Sequence, residues 1–250
     1  MIEALKLFDP YNRQARLYPA LITLLPAIFA ALLVFPALLT SAGGGLVSIL
    51  ALSGGLYLVA DLARSSGKEL EAGLVDSWGG WPTTQLLRHS NGRLSGLTRE
   101  RYRQILESKT NLSWPTPAAE AADSLAADAV YRSATDWLRE QTRGPDFSLL
   151  LAENARYGFR RNLLGLKRWG IAVSLLAAVS LLGPVIVGAQ FSMTEALGAI
   201  SEPQRHLRLA AACGALLMFV GWMLVVSKKW VRAAAESYAL ALLQCCDRLK

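Results

Sequence analysis

Charge is what this chain has least of. Only 18% of its 250 residues are charged and 53% are hydrophobic, where a soluble domain carries nearer a quarter charged residues. The shortage is local. No Asp, Glu, Lys or Arg occurs from Leu17 to Ala60, from Trp169 to Thr194, or from Leu209 to Ser227. A helix needs about 20 apolar residues to cross roughly 30 Å of hydrocarbon. The first run is long enough for two crossings and the others for one each, so four transmembrane helices are expected. A buried core in a soluble helical protein is the alternative, and runs of this length argue against it. The first run is also too long for a cleaved signal, and no small-residue cleavage site is followed by a polar mature chain.

Chemistry-bearing residues are scarce too. There are two histidines and three cysteines. His206 falls on the outer face and His89 on the cytoplasmic side, so they cannot share a metal or a triad. Cys213 lies in the fourth expected span, where a thiol acts as a small hydrophobe. Cys245 and Cys246 are adjacent and lack metal-binding spacing. No HExxH, GxSxG or P-loop occurs, and Gly43–Gly45 has no lysine after it. Acid pairs such as Glu69/Glu71 and Asp123/Asp128 read as solvated helix faces. The sequence therefore calls for no catalytic residue, no metal and no cofactor. Its best catalytic pair, His89 with Asp76, is a poor one.

What is present is an excess of positive charge, net +7, and its placement is informative. Lys6, Arg13 and Arg16 precede the first expected span, and Arg64 and Lys68 follow the second. Arg156, Arg160, Arg161, Lys167 and Arg168 precede the third, and Lys228, Lys229 and Arg232 follow the fourth. The opposite ends are nearly bare: Ser41–Gly45 has no charge, and the loop from Gln190 to Arg208 balances two Glu with two Arg. The positive-inside rule puts both termini and the long middle segment in the cytoplasm. Tyr18, Trp169, Trp222 and Trp230 fall near the expected interfaces.

The expected fold is all-α: an integral membrane protein with four transmembrane helices in two hairpins and a helical cytoplasmic domain between them. Residues 1–62 form an N-terminal segment and the first hairpin, 63–168 the cytoplasmic domain, 169–227 the second hairpin, and 228–250 a C-terminal amphipathic helix. Asp9-Pro10 suits a helix start. Pro26 and Pro36 lie within the first span, Ser41–Gly45 turns the chain, and Ser53-Gly54-Gly55 allows close helix packing. Thr98 is a candidate N-cap for Arg99–Lys109. Ala118–Arg143 reads as one amphipathic helix with Leu125, Val130, Ala134, Trp137 and Leu138 on its apolar face. The next helix is expected to run from Phe147 through Arg168 straight into the third span, and the fourth to continue past Lys229 to Leu243.

Arginines are the strongest lead to function. Arg88, Arg93, Arg99, Arg101 and Arg103 lie within one loop and one helix, with Arg99 and Arg103 on one face. Guanidinium groups pair with phosphate through charge-assisted bonds. The second basic cluster, Arg156 to Arg168, is what topology and anionic lipid already require. Trp78-Gly-Gly-Trp-Pro82 reads as a structural elbow at the membrane surface; the sharper alternative is that the elbow also walls a site completed by Arg88. The candidate ligand-binding residues are Arg88, Arg93, Arg99, Arg103 and Trp81. Asp61, closing the second span, is the candidate pore or gate residue, with pairing to Arg64 as its structural alternative.

Three stretches, FDPYNRQARLYPALITLLP (Phe8–Pro26), GKELEAGLVDSWGGWPTTQLLR (Gly67–Arg88) and ENARYGFRRNLLGLKRWG (Glu153–Gly170), lie in a plan of two membrane hairpins around a helical cytoplasmic domain. That plan resembles the four-transmembrane effectors of bacterial anti-phage systems, including those of Hailong type and those encoded beside nucleotidyltransferases in cyclic-oligonucleotide signalling. The resemblance is one of architecture over the whole chain, and no site residue carries over. It implies a bacterial inner-membrane homo-oligomer, such as a tetramer, closed at rest. A nucleotide or short oligonucleotide on the cytoplasmic domain would set its opening, and a nucleotidyltransferase would be a soluble partner. The alternatives are a non-conducting scaffold recruiting a soluble protein, and a membrane enzyme acting on phosphate.

Overall fold

The computed structural model describes residues 9–35, 42–190 and 202–249. Lys6, Pro36, Ser41 and most of the loop after Gln190 lie outside the described residues. The described elements are all helical, with no strand among them. Two helices, Pro10–Val34 and Gln204–Leu224, are long and apolar enough to cross a membrane. A bent pair, Pro145–Gly165 with Lys167–Gly183, counts as a third if taken as one span. The expectation of an all-helical chain with membrane-length helices holds at that level; the described helices do not make the number four. Two compact units divide the chain: Met1–Lys68 with Phe159–Ser227, and Glu69–Gly158 with Lys228–Lys250.

In the first unit, α1 (Pro10–Val34) starts as expected, with Asp9 capping Asn12 N and Pro10 in the first turn. A π-helical turn at Arg13–Leu17 follows. Here the Ala15 carbonyl accepts a 2.7 Å bond from Asn162 Nδ2, whose side chain is buried. Helix α2 (Ala42–Trp78) contains Gly43–Gly45, so those glycines are helical rather than part of a turn. It crosses α7 (Ser148–Gly165) at Gly67 and Gly165. A Cβ on Gly67 would lie 2.2 Å from Asn162 Oδ1 and 2.9 Å from Asn162 Cα, and one on Gly165 would lie 2.7 Å from Gly67 N. Only hydrogen fits between these backbones.

Leu166 then breaks the chain's helical course. Helix α8 (Lys167–Gln190) leaves at 61° to the helix before it, so the expected uninterrupted helix into the third span is not formed. Helices α1, α8 and α9 (Glu202–Leu224) pack on one another through Ala30, Ala177, Ala178, Ala212 and Ala215 around Leu181. Small side chains let these helices approach closely. Trp222 is buried with its ring against Gly170, whose added Cβ would meet it at 2.1 Å, so Trp222 is a packing residue. Trp169 and Tyr18 are exposed. The expected continuous fourth helix is interrupted at 225–227. Lys167 Nζ donates to the carbonyls of Val226 (2.7 Å) and Met223 (3.3 Å) there, satisfying the helix C-terminus.

In the second unit, α3 (Pro82–Leu87), α4 (Gly96–Thr110), α5 (Pro117–Ala122), α6 (Ser124–Gln141) and α10 (Lys228–Gln244) surround one core. Ala127, Tyr131, Ala134 and Leu138 recur at helical spacing on α6 and are all buried. They meet Leu86 and Leu87 of α3, Leu106 of α4 and Leu242 and Leu243 of α10. Each buried leucine contributes about 1.5–3 kcal/mol. The amphipathic C-terminal helix is thus part of this core. Ala118–Arg143 is two helices, because Asp123 takes an extended conformation and caps α6 through Ala126 N. Leu125 is 82% exposed and leaves the expected apolar face. Ser95, not Thr98, caps α4, and accepts from Thr98 N at 3.2 Å.

Candidate functional site

The elbow that ends α2 is built from its glycines. Gly79 and Gly80 have φ of 77° and 116°, a region that favours glycine. Their amides return to Asp76 O and Val75 O at 3.0 Å each, closing the helix as a C-terminal cap does. Gln85 Nε2 reaches back to the carbonyls of Trp78 (2.6 Å) and Gly80 (3.0 Å). Trp78 is buried in protein. Trp81 is half-buried, and the Arg132 guanidinium lies 4.4 Å from its ring centroid.

Arg88 holds this elbow to α6. Its Nε donates to Asp128 Oδ1 at 2.8 Å, its Nη2 to Asp128 Oδ2, and the same Nη2 to Gly79 O at 3.0 Å. The bond to Asp128 raises the Arg88 pKa, outweighing burial. Arg93 pairs with Glu236 of α10 at 2.6 Å, and Arg232 joins the same carboxylate at 2.9 Å. Burial pushes Glu236 up, but hydrogen bonds from Arg93 and Arg232 hold it below the usual carboxylate range. Arg99 donates to Asn91 O and, at 3.3 Å, to Arg88 O. Arg103 lies 3.4 Å from Glu100 and 3.4 Å from His89 Nε2. Each of the four candidate arginines therefore has partners within the fold, and an incoming phosphate competes with them.

Beside Arg88 is a buried polar network. Glu120 accepts from Tyr131 OH at 2.6 Å and from His89 N at 3.0 Å. Burial pushes Glu120 up, but bonds from Tyr131, His89 and Ser90 keep it below its ordinary value. Tyr131 is pushed up by burial and by Glu120. His89 Nε2 sits 3.0 Å from Pro115 O. Among the described residues no hydrogen bond joins His89 to Asp76.

An open cleft of about 940 Å³ is lined by Asp76, Gly80, Arg88, His89, Glu120 and Asp128 among others. Three carboxylates there face one guanidinium, which is committed to Asp128. Asp61 lies apart, exposed on α2 in the other unit. Its charge acts on Arg16, and no ion pair joins it to Arg64 among the described residues. Cys245 and Cys246 are buried, and burial pushes Cys246 up to about 12. Asp128, Glu120, Tyr131 and Glu236 were not singled out as site residues from the sequence. The acids that tie down Arg88 and Arg93 are 40 and more residues away in the chain, and no local spacing reveals such pairs. No protein-family model, curated protein or solved structure matches the chain.

Proposed function

We propose that the chain is an oligomeric four-span protein of the bacterial inner membrane, with both termini and the polar second unit in the cytoplasm. It acts as a channel or membrane-disrupting effector whose state is set by a nucleotide or short oligonucleotide bound to that unit, as in the anti-phage effectors it resembles. The supporting observation is the surface of the first unit. Phe29, Leu176 and Leu217 are 50%, 68% and 73% exposed, and Leu21, Leu25, Leu175, Val179, Val220, Met223 and Leu224 are exposed with them. Soluble proteins rarely present apolar patches beyond a few hundred Å², whereas lipid tails solvate them at no cost. Charge-free spans suit a pore that closes by dewetting. The chain passes between the two units three times, at Lys68/Glu69, Gly158/Phe159 and Ser227/Lys228, and the first two passages fall inside helices. Ordering the second unit around a ligand would act on the membrane segments through these connections.

The direct test is dye release from liposomes holding the purified protein, with and without nucleoside phosphates, cyclic dinucleotides and short DNA oligomers. Release that depends on one of these supports the reading. A folded, inserted protein that releases nothing under any of them contradicts it. The internal pairing of Arg88, Arg93, Arg99 and Arg103 favours a second reading, a non-conducting scaffold. That reading predicts one stoichiometric protein partner and no flux.

A further inference from the structure

The second unit has a smaller, more enclosed groove away from the Arg88 cleft, where α3 begins and α6 and α10 run past each other. Its enclosed volume is about 40 Å³, room for a few waters or for a flat ring entering edge-on. The floor is apolar, with Leu242 at its base. One side is the Trp81 indole. Another carries Tyr157 and Tyr238, whose rings are within 15° of parallel with centroids 6.3 Å apart. Tyr157 is anchored by its OH to Glu71 Oε1 at 2.8 Å, so it is a fixed wall.

The rim differs in charge from the large cleft. Arg132 Nε and Arg139 Nη2 share a single carboxylate, Asp136, at 3.2 and 3.0 Å. Two cations on one anion leave the rim with positive charge in excess. All three side chains are 42–47% exposed, and exposed pairs of this kind hold weakly. A second anion can therefore be added, or can replace Asp136, without taking the fold apart. Arg88 differs: it is forked onto Asp128 and bonded to the elbow carbonyl. Arg132 over Trp81 also offers a flat ligand a cation and a π-face together.

We propose that this groove binds a planar aromatic ring that carries an anionic group, the ring against Trp81 and the tyrosines and the anion on Arg132 and Arg139. A nucleoside monophosphate and an aromatic carboxylate share that chemistry. Only the first connects the groove to the proposed gating, and the site exists whether or not the protein conducts. The test is calorimetric titration of the full-length, detergent-purified protein with adenosine monophosphate and, separately, with benzoate. Adenosine supplies the ring alone and inorganic phosphate the anion alone. The expected result is saturable binding of at least one ring-bearing anion, at least tenfold tighter than either part alone. Arg139→Ala, at an exposed position that leaves the core intact, should weaken it tenfold or more, and Trp81→Phe less. Binding of the nucleotide alone ties the groove to gating, and binding of benzoate alone supports the groove with a different ligand source. Binding of neither, or binding unchanged in a folded Arg139→Ala protein, overturns the assignment. Ligand-gated dye release that survives Arg139→Ala overturns the groove's part in gating while leaving the channel reading in place.

Discussion

At the scale of single residues, the second unit is held by charges whose partners are far away in sequence. Arg88 was visible as a candidate cation, but Asp128, which occupies it, is 40 residues further on, beyond α4 and α5. The same holds for Arg93 and Glu236. The sequence displays the cation and hides its counter-ion, because pairing of this kind is a product of the tertiary fold. Glu120 is the most exacting case. It is buried and ionised, and Tyr131 OH and the His89 amide offset its lost hydration. Its folded pKa lies below the ordinary carboxylate value, so its contribution to stability is complete above the unfolded value. It is lost as pH falls through the folded value. Glu120→Gln should cost about 1–3 kcal/mol at neutral pH, and should flatten the fall in stability below about pH 4. Thermal unfolding of the purified protein across pH checks this. A variant that melts like the parent at pH 7 would remove Glu120 from the account.

At the scale of elements, periodicity served well and boundaries less so. The α6 stripe Ala127, Tyr131, Ala134 and Leu138 is readable because a helix must bury one face. So is the elbow, because Gly79-Gly80 followed by Pro82 ends one helix and starts another. The break at Leu166 and the interruption at 225–227 were less readable. Gly165 stands next to the first, but an isolated glycine in a helical pattern is no sure stop, and Val225-Val226-Ser227 has neither glycine nor proline. Packing accompanies both: Lys167 fills the end of α9, and Gly67 and Gly165 bring α2 and α7 into backbone contact. Gly67→Ala would place a methyl carbon 2.2 Å from Asn162 Oδ1, so the helices must part or the buried Asn162–Ala15 bond must break. A loss of about 1–3 kcal/mol is expected, seen as a lower melting temperature in detergent. Gly73→Ala, with open space around its Cβ, should be neutral or slightly stabilising. Equal melting of the two variants would mean that the close crossing is not under strain.

At the scale of the whole molecule, the all-helical class and the presence of membrane-length apolar helices follow from where charge is missing, and that was legible. Charge-free runs must avoid water, and the helices they form carry their leucines outward. Which arginines pair within the fold was less legible, because an arginine committed to structure and one offering its charge look alike in sequence. The central claim is that the chain crosses the membrane four times with the polar unit inside. The measurement that tests it most directly is labelling of single cysteines in intact cells by a membrane-impermeant thiol reagent, in a variant with Cys213, Cys245 and Cys246 replaced. Cysteine at Ala42 or Ser201 should be labelled from outside, while cysteine at Ser108, exposed on α4, should react only after permeabilisation. Labelling of Ser108→Cys in intact cells, or protection of both Ala42→Cys and Ser201→Cys, would contradict it.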